Sequence, residues 1–463
     1  MTCVTPERSF MLRHTFTWTL LATSLASFAV AQDSVLPLPK LEACRSASHP
    51  RLPEKWHATY LMAPFTRSQL VLGEIVVDDS ISAMRVKLFG LRHGSADLFV
   101  SGDRTYALAS DGSAVSDCQD LGDTGWRPLD RDWLTPRSRC TGSAPIGETG
   151  TDWWKTPIEP KPSSYWIWYE TAEQTPLRLV FPAPSDRLAV LSRYALSHRV
   201  AFKAVAETEL AALAQTCRGA RPGRGGTGPR ALLGIIEGLS QARDRADREI
   251  KRLMPAVASC ASSPLPQWPE TLALTGLMTP FDANENPYPT EVLYDWTLRG
   301  QRSRIYFPPA SPVLAQDALL LGSRGYNVTW RRDDGPVCTP VLPGTIRPDW
   351  PSRGSCSCEA EISGGTPLTP RGTTRIIACT LASPRAAWAW YTADGRPTTF
   401  MVTSRIGDQG AALFAVLDYW QWEPGHQIAG TAFAKPDQCK APTPARVSAH
   451  LRQCATCHLG TSR

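Results

Sequence analysis

The fold is decided by a short stretch that occurs twice, Leu61-Met62-Ala63-Pro64-Phe65 and Leu277-Met278-Thr279-Pro280-Phe281. Each copy stands at the same distance after a cysteine, Cys44 in the first case and Cys260 in the second. Matching residues are offset by 216 positions here, and the offset drifts slowly along the chain, as small loop insertions would cause. The 463-residue chain therefore contains a tandem duplication, which sets the number of domains.

The match between the copies extends over most of their length. Cys118 corresponds to Cys338, and Cys217 corresponds to Cys439. These landmarks divide the chain into five predicted segments. They are a signal peptide (1–31), the first repeat (32–217), a Gly/Pro/Arg linker with an amphipathic helix (218–259), the second repeat (260–439) and a C-terminal tail (440–463).

The N-terminal segment has the pattern of a secretory signal. Arg8 and Arg13 precede an apolar run, Thr17–Val30, and Ala29-Val30-Ala31 offers small residues for cleavage. We therefore expect an exported protein, extracellular or periplasmic. No later stretch approaches the ~20 apolar residues of a membrane helix, so we expect no stable membrane insertion. The net charge of +6 is small for this length and does not indicate a nucleic-acid partner.

Cysteines are numerous enough to predict a disulfide framework, because twelve of the thirteen remain after cleavage in an oxidising compartment. The simplest wiring joins the two ends of each repeat. The expected bridges are Cys44–Cys217, Cys260–Cys439, Cys118–Cys140, Cys338 with either Cys356 or Cys358, and Cys379 with the remaining one of these two.

Short β-rich runs separated by turn residues dominate each repeat, for example Leu70–Val77 and Met84–Phe89. We expect a long loop between Cys118 and Lys161 and a helix over Val205–Ala214. The connector, Ala231–Leu253, carries an apolar stripe with helical spacing and should dock on one or both sheets. The predicted fold class is mainly β with α: a duplicated, curved antiparallel sheet (half-barrel) with packed helices.

The second repeat also carries a run of residues that resembles the ependymin-like and LolA-like proteins. The run comprises Tyr294-Asp295, Arg302, Arg304, Asp317, Leu319-Leu320-Leu321, Tyr326, Cys338 and Pro348-Asp349-Trp350. The resemblance implies a half-barrel sheet that holds a helix in its hollow. It also implies that a lipid or another apolar small molecule binds in that hollow, here twice per chain.

A Trp-x-Trp strand recurs at the same point of both repeats, as Trp166 and Trp168 and as Trp388 and Trp390. Alternation along a strand places the two tryptophans of each pair on one face. One interpretation is that they are large core residues, since aromatic side chains dominate core burial. The other is that they line a ligand site, where tryptophan offers area with little rotamer entropy to lose.

Charged residues recur as Glu74, Asp78, Arg85 and Lys87 in the first repeat. We interpret them as cross-strand ion pairs on a solvated face, with a catalytic group as the alternative. The sequence contains no recognisable catalytic motif, and the histidines do not recur between the repeats. We therefore expect no enzymatic activity.

The tail contains Cys454-Ala455-Thr456-Cys457-His458, which matches the C-x-x-C-H motif for attachment of a c-type haem. Cys454 and Cys457 would hold the haem covalently, and His458 would bind the iron. Only five residues follow His458, so little chain is left to shelter a haem. We expect no cofactor here, and instead a Cys454–Cys457 disulfide or a link to another chain, with haem c as the alternative.

Three classes of function follow from the sequence. The leading prediction is an exported, disulfide-rich carrier or binding protein for a lipid or other apolar ligand. The second is a c-type haem protein for electron transfer or sensing. The third is an extracellular structural or interaction module that uses the sheets as rigid spacers. An apolar-lined concavity in each repeat would favour the first over the third.

Overall fold

The computed structural model describes most of the chain between residues 34 and 438. The positions within this range that it does not describe are 47, 65–69, 91–93, 112–113, 133, 135–136, 159–162, 183–193, 223–225, 229, 233–234, 236–245, 261–262, 281–285, 342–346, 354–355, 365, 367–371, 381–385 and 407–410. The predicted signal peptide and the C-x-x-C-H motif lie outside the described residues.

The first repeat forms one twelve-stranded sheet, sheet A. Its strands in chain order are β1 (Lys55–Pro64), β2 (Val71–Asp78), β3 (Ala83–Gly90), β4 (Ser95–Ser101), β5 (Arg104–Asp111), β6 (Ala114–Gly122), β7 (Arg139–Ile146), β8 (Thr149–Ile158), β9 (Ser163–Glu170), β10 (Pro176–Pro182), β11 (Tyr194–Ala204) and β12 (Arg221–Pro222). Their order across the sheet is β12-β6-β5-β4-β3-β2-β1-β11-β10-β9-β8-β7. The first and last long strands of the repeat, β1 and β11, therefore pair at its centre.

The second repeat forms sheet B, also of twelve strands. They are β13 (Val257–Ala258), β14 (Thr271–Pro280), β15 (Tyr288–Asp295), β16 (Gly300–Tyr306), β17 (Val313–Leu321), β18 (Arg324–Arg331), β19 (Val337–Pro340), β20 (Cys356–Ile362), β21 (Thr374–Thr380), β22 (Ala386–Thr392), β23 (Pro397–Ile406) and β24 (Ala411–Pro424). Their order is β13-β20-β21-β22-β23-β24-β14-β15-β16-β17-β18-β19. Apart from the short strands β12 and β13, this is the order of sheet A.

Irregularities in the sheets repeat as well. The central strand pair of sheet A has a register shift between Thr59 and Tyr60, and that of sheet B has one between Thr275 and Gly276. The two shifts are 216 residues apart, which is the offset found in the sequence. Two curved antiparallel sheets with few helices therefore confirm the predicted fold class.

Helices are short. Among the described residues, the α-helices include α1 (Leu210–Thr216), α2 (Ala246–Leu253) and α3 (Trp350–Arg353), and 3-10 turns occupy Asp79–Ile81 and Gly430–Phe433. Residues 230–232 and 235 of the connector are also helical. The expected long loop between Cys118 and Lys161 is wrong, because β7 and β8 form there as a hairpin that extends the edge of sheet A.

Both faces of sheet A are covered. On one face, the Trp-x-Trp strand packs against the same strand of sheet B, and Ile250 of α2 joins that core. On the opposite face, Ala231 and Leu232 of the connector pack over the sheet. The connector therefore docks on the sheets as its apolar stripe predicted, with its two ends on opposite faces of sheet A.

The predicted disulfides that join the two ends of each repeat are wrong. Cys44 pairs with Cys140 instead of Cys217, and Cys118 pairs with Cys217 instead of Cys140. The ends cannot meet directly because Cys44 lies beside β7, where Glu42 bridges Ser143, at one edge of the sheet. Cys217 follows α1, which packs near β6 close to the other edge.

The second repeat has the corresponding wiring. Cys260 pairs with Cys358, not with Cys439, and Cys356 pairs with Cys379 across two neighbouring strands. Cys358 is thus the counterpart of Cys140, and the last bridge is the extra pair expected for this repeat. Cys338 is disulfide-bonded, and neither Cys356 nor Cys358 is its partner. Cys439 lies outside the described residues.

The N-terminal segment of the first repeat lies on the second repeat. Leu36 is buried among Ala273, Leu293 and Phe433, all of the second repeat. The carbonyl of Pro37 accepts a hydrogen bond from Thr275 Oγ1 at 3.3 Å. Residues 34–37 therefore tie the start of the described part of the chain to sheet B before the chain enters sheet A.

Candidate functional site

The four predicted tryptophans lie between the two sheets. Trp166, Trp168 and Trp388 have no exposed surface, and Trp390 is 1% exposed. They belong to one apolar core that also contains Leu61 and other residues from both repeats. This confirms the interpretation as core residues. Ligand binding by these four side chains stays a prediction.

Equivalent rows of side chains from the two sheets meet in this core. The row of sheet A runs across adjacent strands through Trp168, Arg178, His198 and Leu61. The row of sheet B runs through Trp390, Thr399, Asp418 and Leu277. We call these two rows, with Trp166 and Trp388, the joint. Its members occupy matching positions in the duplicated topology, so the joint has the pattern of a pseudo-symmetric interface between two copies.

A buried ion pair crosses the joint. Arg178 Nη1 donates to both carboxylate oxygens of Asp418, at 2.8 and 2.7 Å, and Nη2 donates to Thr399 Oγ1 at 3.1 Å. The Arg178 guanidinium also lies over the Trp168 ring, 5.3 Å from its centre. Trp166 Nε1 adds a hydrogen bond to the carbonyl of Pro280 at 3.1 Å. Polar contacts as well as apolar packing therefore hold the repeats together.

His198 is the other polar residue of the row in sheet A. Its ring centre is 5.1 Å from that of Trp390 in the second repeat. Neither ring nitrogen finds a hydrogen-bond partner in the described part of the chain. Burial, and then the charge of Arg178, lower the pKa of His198 well below its ordinary value, so the ring is neutral at neutral pH.

The opposite face of sheet A, which we call the helix-covered face, is a second apolar core. Alternation on β9 places Ile167 and Tyr169 here, on the side away from the two tryptophans. Leu232 and the partly buried Ile235 of the connector lie over this face.

Three buried polar groups on the helix-covered face have no hydrogen-bond partner among the described residues. They are the indole N–H groups of Trp56 and Trp154 and the hydroxyl of Tyr60. Trp56 stacks on Phe202, with ring centres 5.4 Å apart, so its orientation is fixed by packing. Burial raises the pKa of Tyr60 far above its ordinary value, which keeps the hydroxyl protonated as a donor.

Arg199 adds a charge at the edge of this group. It lies opposite Tyr60 on the neighbouring strand and is 1% exposed. Its guanidinium donates to Glu170 and Thr175, which balances the charge, while Nε has no partner in the described part of the chain. The helix-covered face therefore presents donors without acceptors in apolar surroundings.

The corresponding face of sheet B is filled by its own aromatic side chains. Trp268 packs edge-on against Tyr294 and against Trp350 of α3, with ring centres 5.5 and 6.3 Å apart. Position 60 corresponds to Gly276, where a side chain would not fit because its Cβ would lie 2.3 Å from the carbonyl oxygen of Asp418. The counterpart of Tyr60 on this face of sheet B therefore offers no side-chain donor.

The recurring charged residues form cross-strand ion pairs, but the predicted solvated face is wrong. Glu74 is only 8% exposed and contacts His57 at 2.9 Å and Lys87 at 3.4 Å. Arg85 pairs with Asp97 and with Glu209 beside α1. In a sheet covered on both faces, alternation does not mark a solvent-exposed side.

The equivalent carboxylate of the second repeat is covered by the N-terminal segment. Glu291 has no exposed surface, and Arg302 donates to it at 2.5 Å. It also accepts hydrogen bonds from Ser34 Oγ at 2.9 Å and from the Val35 N–H at 2.7 Å. These charges therefore act in the structure as buried anchors for neighbouring segments.

Within the described residues, no group of three or more histidine, cysteine, aspartate or glutamate side chains could hold a metal ion. A search of the same residues found no helix with the length and apolarity that crossing a membrane requires. Cys454, Cys457 and His458 lie outside the described part of the chain, so haem attachment stays a question for experiment.

The residues that sequence reasoning missed are those that join the repeats. Arg178, Asp418 and His198 differ from their counterparts, so a search for recurring residues passes over them. The sequence did contain a usable signal for two of them. Arg178 stands between two leucines, and Asp418 stands two residues before Trp420. A charged side chain on such a strand is rarely buried without a partner, so each position indicates an ion pair.

No known family matches the sequence, and a search of curated proteins found no match either. Among solved structures, a LolA superfamily protein from Nitrosomonas europaea matches at TM-score 0.19 and 13% identity, over 37% of this chain and 92% of that one. The MucA/MucB complex of Pseudomonas aeruginosa matches at TM-score 0.20 and 10% identity, over 78% of this chain and 87% of that one. Such low scores carry no argument about function.

Proposed function

We propose that this chain is an exported binding or carrier protein for a lipid or another apolar ligand, held at the helix-covered face of the first repeat. The observation that carries the proposal is the set of unpartnered donors on that face: Trp56, Tyr60 and Trp154. A buried polar group left without a partner costs about 1–3 kcal/mol, so three of them on one apolar face call for an acceptor. An ester or carboxylate oxygen of an apolar molecule would supply it.

The cover of this face suits a ligand site. Segments outside the strands lie over it, with Leu52 before β1, Trp126 and Leu134 between β6 and β7, and Ala231 and Leu232 of the connector. The disulfides match an oxidising compartment, which supports the exported part of the proposal.

The proposal is one of binding, without a catalytic step. It assigns the ligand to the first repeat, because the counterpart of Tyr60 in the second repeat is Gly276, which offers no side-chain donor. Trp268, Tyr294 and Trp350 contact one another there.

Photo-crosslinking with a diazirine fatty acid tests the proposal, because mass spectrometry identifies each crosslinked residue. We expect adducts on side chains of the helix-covered face, such as Trp56, Tyr60 and Trp154. Adjacent residues on one strand supply an internal control, since Trp153 of β8 belongs to the joint core and Trp154 to the helix-covered face.

Two other outcomes would contradict the proposed site. Adducts on Trp166, Trp168, Trp388 and Trp390 would instead support the original prediction that the Trp-x-Trp strands bind the ligand. Adducts spread over exposed residues would indicate non-specific labelling if their yield does not decrease when unlabelled fatty acid is added. This outcome would contradict the proposed binding function.

A further inference from the structure

His198 occupies a buried position in the joint beside the positive charge of Arg178, so a second positive charge on His198 would be unfavourable. The ring is fully buried, has no hydrogen-bond partner in the described part of the chain and packs on Trp390 of the other repeat. Arg178 lies directly opposite on the neighbouring strand of the same sheet. A cation on His198 would therefore stand beside the Arg178 guanidinium, with both side chains buried.

The charged groups around His198 offer a protonated ring little compensation. From its own sheet, β10 presents Arg178 and β1 presents Leu61. From sheet B, β22 presents Trp390 and β24 presents Asp418, whose two oxygens already accept from Arg178. Lys155 of β8 is another buried cation on this face, over the Trp166 ring.

We propose that the joint is an acid-sensitive latch: protonation of His198 separates the two sheets and exposes the Trp-x-Trp strands. The closed joint suits neutral imidazole, which packs on an indole ring, and disfavours imidazolium beside an arginine. This inference rests on the joint alone and holds whether or not a ligand binds at the helix-covered face.

The direction of the pH dependence follows from the two states of the joint. When the joint is closed, burial and Arg178 hold the pKa of His198 well below 6.5. When it is open, the ring is in water and its pKa returns to about 6.5. Below that pH the open state binds a proton that the closed state does not. The stability of the closed joint is therefore complete above about pH 6.5 and is lost as pH falls toward the pKa of the closed state.

Hydroxyl-radical footprinting of the full mature chain tests the latch, with mass spectrometry of each tryptophan. We expect oxidation of Trp168 and Trp390 to rise as pH falls from about 7.5 to 5, approaching tenfold per pH unit below about 6.5. Oxidation of Trp268 and Trp350, in the separate aromatic core of sheet B, should not change with pH. A parallel rise at these two residues would mean general unfolding and would overturn the latch.

Variants at position 198 identify the responsible group. His198→Phe keeps a flat ring and removes the titration, so it should abolish the rise in oxidation at Trp168 and Trp390. His198→Gln provides a second non-titrating side chain if the first fails to fold. His426→Gln, at a partly exposed histidine that contacts Glu423, should leave the rise unchanged. An unchanged pH profile in folded His198→Phe or His198→Gln protein would overturn the proposal.

Discussion

Arg178 of the first repeat and Asp418 of the second form an ion pair with both side chains at most 4% exposed, at an N–O distance of 2.7 Å. The two residues are 240 positions apart, and they occupy non-equivalent places in the duplicated topology. The position equivalent to Asp418 in sheet A is taken by His198, and the position equivalent to Arg178 in sheet B is taken by Thr399. Identical repeats would place the same residue at both equivalent positions of the joint. Because the two copies have diverged, the joint instead contains one positive and one negative side chain, which pair.

Breaking this pair should be strongly destabilising. Asp418→Asn leaves the Arg178 charge buried without a counter-ion, and we expect the free energy of unfolding to fall by about 3–5 kcal/mol in urea titrations. The double variant Arg178→Met, Asp418→Leu removes both charges and should recover most of that loss. The exposed pair Arg127–Asp123 provides the control, since Arg127→Ala should cost no more than about 1 kcal/mol. A loss that is no larger for Asp418→Asn than for the control would contradict the role of the pair.

Tyr60→Phe should change stability and ligand binding in opposite directions. Removing an unpartnered buried hydroxyl should raise the free energy of unfolding of the ligand-free protein by about 1 kcal/mol. If the hydroxyl donates to the ligand, the same change should weaken binding of a fluorescent fatty acid by about 0.5–1.5 kcal/mol, a factor of roughly 2 to 12.

The matched control for this test is Tyr294→Phe, which removes an equally unpartnered hydroxyl from sheet B. It should stabilise the protein and leave binding unchanged. If Tyr60→Phe binds the probe as tightly as the unaltered protein, Tyr60 does not contact the ligand.

The duplicated wiring predicts a bridge between Cys338 and Cys439. Cys118 pairs with Cys217 in the first repeat, and these two residues correspond to Cys338 and Cys439. Cys338 is disulfide-bonded. Its counterpart, Cys118, pairs with Cys217, so we expect Cys338 to pair with Cys439. Proteolysis without reduction, followed by mass spectrometry, should yield one peptide pair that contains both cysteines. Any other partner for Cys338 would show that the two repeats are wired differently.

The tail is predicted to carry no haem. A haem left unsheltered on the tail would leave a large apolar surface in water, at about 25 cal/mol per Å². Expression with a cytochrome c maturation system should therefore give no haem-stained band on a denaturing gel. A covalently stained band that disappears in the Cys454→Ala, Cys457→Ala variant would make the haem protein the correct class.

Much of the fold could be read from the sequence because duplication leaves matching residues in order. The topology and the positions of the register shifts repeat as the 216-residue offset indicated. The β7–β8 hairpin was missed because Gly and Pro in that region are typical of loops. In the structure, Trp153 and Trp154 of β8 are buried on opposite faces of sheet A. The other misinterpretation concerns Glu74, which alternates like a solvent-exposed residue but is only 8% exposed and contacts His57 and Lys87 on the neighbouring strands.

The sequence by itself determined the duplication, the mainly β class and the identity of the disulfide cysteines in the described part of the chain. These are properties of order and period along the chain, and they need no knowledge of which segments meet. Only the tertiary structure decided which cysteines pair, because the position of Cys44 at one sheet edge and of Cys217 near the other depends on strand order. It also placed the Trp-x-Trp strands between the sheets, because alternation fixes which residues share a face but not what covers that face.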